Sequence, residues 1–156
     1  MKDACIESYD DEAVHLAKAA KIVRRYMFNM QSSLRGSFDE DCQTKSIPQS
    51  LIALVAMITQ GPSIKSYNSA KRQSALTIAQ LLQFNSSKRQ QDDISGMTRH
   101  NKDMETPLPL YLGMAIHAKT RKRELIDTLF SLGLSVSYDR VLEVSTDLSN
   151  KACAQF

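Results

Sequence analysis

A run of five residues in the last third of this 156-residue sequence holds four positive charges. The run is Lys119, Thr120, Arg121, Lys122 and Arg123. Lysine and arginine neutralise the phosphates of nucleic acids, and short basic clusters also serve as nuclear import signals. The alternative is a solvated helix face, in which the cations pair with neighbouring carboxylates such as Glu124 or Asp127. The run therefore predicts either a phosphate-binding surface or an ordinary charged face.

The residues that follow have the outline of a helix-turn-helix unit. A helix ends near Leu132, Gly133 follows, and a second helix begins within a few residues. In such units the first exposed side chains of the second helix reach base edges in the major groove. Here those side chains are Ser135, Ser137, Tyr138 and Arg140. Asp139 departs from the pattern, because phosphate repels a carboxylate, and an ordinary helical hairpin is the alternative interpretation.

Signs of catalysis are weak. His117, Arg121 and Tyr138 invite comparison with tyrosine recombinases, but the step from His to Arg is one residue longer and that family's other arginines are not matched. An isolated histidine after an apolar helix is more often structural. The carboxylates lie on polar loops or helix entries, the glycines are isolated, and the three cysteines have no zinc-ligand spacing. We expect no catalytic residue, no metal site, no cofactor and no small-molecule ligand.

Composition predicts one helical domain. Hydrophobic residues at 42% and charged residues at 24% are ordinary for a globular protein of this length. Glycine and proline are scarce, and no segment alternates apolar with polar residues as a half-buried strand does. No run approaches the roughly 20 apolar residues of a membrane span, and the cysteines read as free thiols of a reducing compartment. These features predict a soluble, intracellular protein without a membrane partner, and the net charge of +3 is compatible with nucleic-acid binding.

Apolar periodicity and capping residues predict an all-α fold of about six helices. They cover approximately residues 11–34, 46–60, 69–84, 107–117, 121–132 and 136–149. The expected caps are Ser46 for the second helix, Asn68 or Ser69 for the third, Thr106 for the fourth, and Ser135 or Ser137 for the sixth. Pro107 suits the first position of the fourth helix, and Gly133 fits the left-handed residue that ends the fifth. The second helix is apolar nearly all round and should be central. The predicted inner face of the last two helices comprises Leu125, Ile126, Leu129, Phe130, Leu132, Val136, Val141, Leu142 and Val144.

The first predicted helix, over 11–34, carries a long apolar stripe. Its members fall at alternating steps of three and four residues, which places them on one face. The residues that we predict to form an interaction stripe are Leu16, Ala20, Val23, Met27, Met30 and Leu34. Such a stripe indicates either a helix packed on its own core or a helix that pairs with another protein. Ala20, Met27 and Met30 disfavour the second interpretation slightly, since a dedicated dimer seam favours Leu and Ile.

Three segments are predicted along the chain. Residues 1–84 form an N-terminal helical half with a hairpin core, and residues 85–106 form a polar loop or linker with almost no apolar content. Residues 107–156 form a C-terminal helical unit of three helices with a helix-turn-helix-like end.

The sequence from about Ala13 onward resembles a multi-copy eukaryotic protein family, found in invertebrates and some fishes, with the distribution of mobile-element-derived genes. The most specific segments are 105–110, 117–124 and 132–141. The resemblance implies a piece of a longer protein and favours nucleic-acid-related work, but it supplies no activity and no site residue.

Two functions of different classes follow. The first is a non-catalytic nucleic-acid-binding module of a mobile-element-related protein, acting through Lys119, Arg121, Lys122 and Arg123, with Tyr138 and Arg140 beside them. The alternative is a protein-interaction or assembly module that uses the stripe on helix 11–34.

Overall fold

The computed structural model describes residues 10–30, 38–64, 72–86 and 102–155. Within these ranges the protein contains seven α-helices, a 3₁₀ turn at Lys102–Met104 and no strand. The helices are α1 (Asp11–Asn29), α2 (Cys42–Lys45), α3 (Gln49–Gln60), α4 (Gln73–Phe84), α5 (Pro107–Thr120), α6 (Arg123–Ser131) and α7 (Tyr138–Ala154). The predicted all-α fold of about six helices is confirmed. The additional helix is α2, which is a single turn of four residues.

Helix α3 lies between α1 and α4 and is the centre of the first hydrophobic core. Five of its residues are buried, as its apolar composition predicts, although Ile58 near its end is 74% exposed. The core comprises Val23, Met27, Ile47, Leu51, Ile52, Val55, Ala56, Ala75, Leu76, Ala79 and Met104. The predicted Ser46 cap is wrong, because Pro48 precedes α3 and the Ser46 hydroxyl donates to the Gln43 carbonyl instead.

A second core joins α4 to the C-terminal helices. It comprises Phe84, Leu110, Ile126, Val136, Val141 and Val144. Phe84 comes from the N-terminal half of the chain, whereas Met104, from the predicted linker, contributes to the first core. The first core, built mostly from residues before the segment that connects α4 and α5, therefore includes Met104 from the end of that segment. The second core, built mostly from residues after it, includes Phe84 from α4.

Buried polar contacts of Gln80 connect α2, α4 and α5. The Gln80 side-chain amide donates to Gln43 Oε1 (3.0 Å), and its oxygen accepts from the Leu108 N–H (2.9 Å). The Gln80 backbone carbonyl accepts the hydroxyl of Thr106 (3.0 Å). Thr106 precedes α5 as predicted, but its hydroxyl does not cap that helix. The Thr106 hydroxyl therefore connects α4 to the start of α5 and does not cap α5.

The end of the predicted linker is part of the fold. Residues 87–101 lie outside the described ranges, as do Asn68 and Ser69, the predicted caps of α4. Within the described part, Met104, Glu105 and Thr106 are buried. The three residues that precede α5 therefore pack against the rest of the protein.

Three leucines that we predicted on the inner face of the last two helices are exposed, so the prediction is wrong for them. Leu125, Leu132 and Leu142 are 39%, 66% and 39% exposed. Helix α6 has only nine residues and buries one of them, Ile126, while α7 buries the stripe of Val141 and Val144. Leu125 and Leu142 are adjacent in sequence to the buried Ile126 and Val141, so they lie about 100° away around their helices and face solvent. Leu132 lies beyond the last residue of α6.

Gly113 allows α5 to approach the start of α7 closely. A Cβ atom at this position would lie 2.7 Å from Ser135 Oγ and 2.8 Å from Val141 Cγ2. The Ser135 hydroxyl is buried and donates to the Val136 carbonyl (3.0 Å), and valine is stiff at χ1. Neither neighbour can move aside without disturbing the second core.

Replacement of Gly113 by alanine should therefore destabilise the protein. Helix propensity alone would favour alanine by about 1 kcal/mol. We expect crowding, which costs roughly 1–3 kcal/mol, to reverse that sign. The free energy of unfolding is measured by urea titration, with Ala118→Gly on the exposed side of α5 as the control for propensity. A net gain in stability for Gly113→Ala would contradict the close packing.

Candidate nucleic-acid interface

The basic run lies at a sharp junction between two helices. Arg121 ends α5 in the left-handed conformation (φ 53°, ψ 18°), and its N–H donates to the His117 carbonyl (2.9 Å). Lys122 precedes α6, and its N–H donates to the Thr120 hydroxyl (3.3 Å). The predicted helix start at Arg121 is wrong, because a left-handed residue cannot belong to a right-handed helix.

The four cations of the junction are exposed and only weakly neutralised. Arg123 approaches Asp127 at 3.4 Å, one helical turn away. Lys119, Arg121 and Lys122 make no ion pair with any residue in the described ranges. The interpretation as a face neutralised by its neighbours therefore applies to Arg123 alone.

The helix ends at the junction add to its electrostatics. Lys119 and Arg121 lie at the carboxyl end of α5, where the helix dipole stabilises positive charge. The amino end of α6 has no side-chain cap, so its first N–H groups are available to an anion. Glu124 in the first turn of α6 offsets part of this potential. Together, the cations and the two helix ends make the junction a positive surface with both backbone and side-chain hydrogen-bond donors.

Tyr138 packs behind the junction. Its ring meets the His117 ring edge to face, with centroids 5.5 Å apart. The guanidinium carbon of Arg123 lies 5.2 Å from the Tyr138 centroid, within the range of a cation–π contact. These contacts tie α5, α6 and α7 together. Tyr138 is half-buried and therefore positions Arg123 more than it exposes a surface of its own.

The turn between α6 and α7 has the predicted geometry. Gly133 has a φ of +70°, and the N–H groups of Gly133 and Leu134 donate to the carbonyls of Phe130 (3.0 Å) and Leu129 (2.9 Å). This pair of bonds is the Schellman arrangement that ends a helix at glycine. The Ser137 side chain accepts from the Arg140 N–H (3.3 Å), so its predicted role as a cap is confirmed. Ser135 is fully buried and cannot present its hydroxyl to a base.

Arg140 is held in an ion-pair network. Its Nε and Nη2 atoms each lie 2.9 Å from a carboxylate oxygen of Glu105, and Nη1 lies 2.9 Å from Glu143 Oε2. Lys102 donates to the same Glu143 carboxylate (3.1 Å). The Arg140 side chain is only 18% exposed. The structure therefore places Lys119, Arg121, Lys122 and Arg123 at the junction, with Tyr138 behind them, and Arg140 in this other network.

The network shifts the pKa values of two of its members. Hydrogen bonding to Glu105 raises the pKa of Arg140, which stays charged. Hydrogen bonds from Arg140 and Lys102 lower the pKa of Glu143 below its ordinary value of 4.5. The contribution of the Glu143 carboxylate to stability is therefore present above that pH and is lost as the pH falls through its folded-state pKa.

The apolar stripe of the first helix is divided between two environments. Val23 and Met27 are buried against α3, as the interpretation of a helix on its own core requires. Leu16 is 71% exposed, and Ala20 is also exposed. Met30 is half-buried in extended backbone, so α1 ends at Asn29 rather than at Leu34, which lies outside the described residues.

Comparisons with protein-family models, with curated proteins and with solved structures each find no match. Of the helices in the described ranges, none combines the length and apolar content needed to cross a membrane. Across those same ranges, no three His, Cys, Asp or Glu side chains gather where they could hold a metal ion. Function must therefore be inferred from the geometry and charge of the junction.

Replacement of Arg121 by glycine should leave the fold intact and raise its stability by up to about 1 kcal/mol, since glycine adopts the left-handed conformation without strain. Arg121→Val should lower stability by about 1 kcal/mol, because a β-branched residue is strained there. Thermal unfolding of the two variants measures the contrast. Equal destabilisation by both would show that Arg121 does not occupy a left-handed position.

Replacement of Arg140 by methionine should destabilise the protein by about 3 kcal/mol at neutral pH, because the buried Glu105 carboxylate loses its guanidinium partner. Part of the deficit should be lost as the pH falls through the pKa of Glu143, because Arg140 lowers that pKa and the variant no longer does. Urea titrations at several pH values measure it. Lys102→Met, which removes only an exposed pair, is the matched control and should cost less than about 1 kcal/mol. A deficit independent of pH would contradict the electrostatic origin.

Proposed function

We propose that this chain is a non-catalytic nucleic-acid-binding module of a mobile-element-related protein. It binds phosphates through Lys119, Arg121, Lys122 and Arg123. The observation that supports the proposal is the junction itself, where four exposed cations surround the uncapped amino end of α6. Phosphate fits this arrangement because it accepts hydrogen bonds from both side chains and backbone N–H groups.

The mode of binding that we propose is independent of base sequence. The side chains predicted to reach base edges have internal partners, since Ser135 is buried, Ser137 caps α7 and Arg140 pairs with Glu105. Contacts to phosphate fix a protein on a duplex without reading it. The module therefore supplies affinity, and other parts of a longer protein would supply selection.

Nucleic acid is favoured over other polyanions by the resemblance to a multi-copy family with a mobile-element-like distribution. One segment of that resemblance, 117–124, contains the whole junction. A duplex also presents regularly spaced phosphates, which suit four cations grouped within five residues.

A salt titration of binding to random-sequence double-stranded DNA tests the proposal. Each phosphate contact adds about 0.9 to the slope of log affinity against log salt, so four contacts predict a slope of roughly −3 to −4. The variant with Lys119, Arg121, Lys122 and Arg123 replaced by Gln should lose most of that slope. Fluorescence anisotropy with a labelled duplex measures both quantities.

A control variant separates position from total charge. Replacement of Lys18, Lys21, Arg25 and Lys45 by Gln removes the same number of exposed cations away from the junction. We expect this variant to retain most of the affinity and slope. Equal loss in both variants, or undiminished binding by the junction variant, would remove the proposal.

A further inference from the structure

The first three turns of α1 are largely exposed. From Asp11 to Lys21 every residue is exposed except Val14 and Ala19, which are half-buried. Only Val23 and Met27, near the other end, are buried against α3. The helix therefore extends past the core that it packs on, and its amino-terminal half has no described partner on the same face.

That face is apolar. Ala13, Leu16, Ala17 and Ala20 recur at helical spacing and continue the side that carries Val23 and Met27. All four are exposed, and the 71% exposure of Leu16 is high for a leucine. A groove runs along the adjoining side, lined by Ala17, Ala20, Phe28 and Asn29 together with the cations Lys21, Arg24 and Arg25. The small alanine side chains would let another helix approach closely.

Charge along α1 is segregated by sign. The acidic residues Asp10, Asp11 and Glu12 stand at its start, and no acidic residue follows them within the helix. The cations Lys18, Lys21, Arg24 and Arg25 all lie further along. Two such helices side by side in parallel would bring like charges together, whereas an antiparallel pair would bring opposite charges together. The layout of charge is therefore complementary to itself.

We propose that the exposed face of α1 binds the same face of a second copy of this chain, with the two helices antiparallel about a two-fold axis. In the register that sets Asp10 of each copy opposite Arg24 of the other, Ala17 lies midway and faces its own copy. Leu16 lies beside the axis in both copies, and Ala13 and Ala20 flank it. A two-fold contact of this kind closes on itself and gives a dimer. It does not depend on the proposed nucleic-acid binding, because it uses a different helix.

The oligomeric state of the full chain tests the dimer. Sedimentation velocity over a range of concentrations should show a monomer–dimer equilibrium that weakens as salt is added. Leu16→Glu should raise the dimer dissociation constant by at least about tenfold, the loss expected when one buried leucine is removed from an interface. Ile22→Glu is the matched control, since Ile22 is 51% exposed and lies about 200° around the helix from Ala20. It should change the constant by less than about twofold. Circular dichroism checks that both variants fold.

Disulfide trapping tests the direction of the pair. In a background with Cys5, Cys42 and Cys153 replaced by Ser, Ala17→Cys should form an interchain disulfide on oxidation, because a bridge requires Cα atoms within about 7 Å. Ala13→Cys should not, because in this register it faces Lys21 of the other copy. A monomer at millimolar concentration, a dimer insensitive to Leu16→Glu, or equal trapping at both positions would overturn the proposal.

Discussion

The buried amide of Gln80 is the contact on which the rest of the structure depends. Its side chain is fully buried and bonded at both ends, to α2 through Gln43 and to α5 through the Leu108 N–H. A buried polar group without partners is costly, so this residue is tolerated only when α2, α4 and α5 hold one arrangement. An apolar residue at the same place would allow those helices to slide. Gln80 fixes the start of α5, and α5 carries the basic junction at its other end.

The two hydrophobic cores reinforce that arrangement. Phe84 enters the C-terminal core and Met104 enters the N-terminal one, so separating the halves would expose apolar surface on both sides. Gly113 then brings α5 against the start of α7, and Tyr138 closes the gap to Arg123. The cations of the junction therefore project from a surface fixed on three helices. A rigid display of charge loses less conformational entropy on binding than a flexible tail does.

Local signals were sufficient to predict much of the fold. The αL glycine at Gly133, the cap at Ser137, the proline that begins α5 and the apolar run of α3 each depend on neighbours within a few residues, and each is present. Contacts between distant residues could not be predicted in this way. Glu105 and Arg140 are 35 positions apart, and nothing near either of them shows that they pair. The same limit applies to Thr106 and Ser46, whose hydroxyls resemble caps but bond elsewhere.

At Arg121 the backbone conformation and the side-chain charge favour different residues. Glycine is the residue that this backbone favours, and asparagine tolerates it better than most others do. Either substitution would relieve strain and remove a cation from the junction. Under random substitution and selection for folding alone, the position should drift toward glycine or asparagine. If an arginine were maintained at this position in related sequences, that would indicate selection on the charge itself, and it could be seen by comparing sequences without any binding experiment.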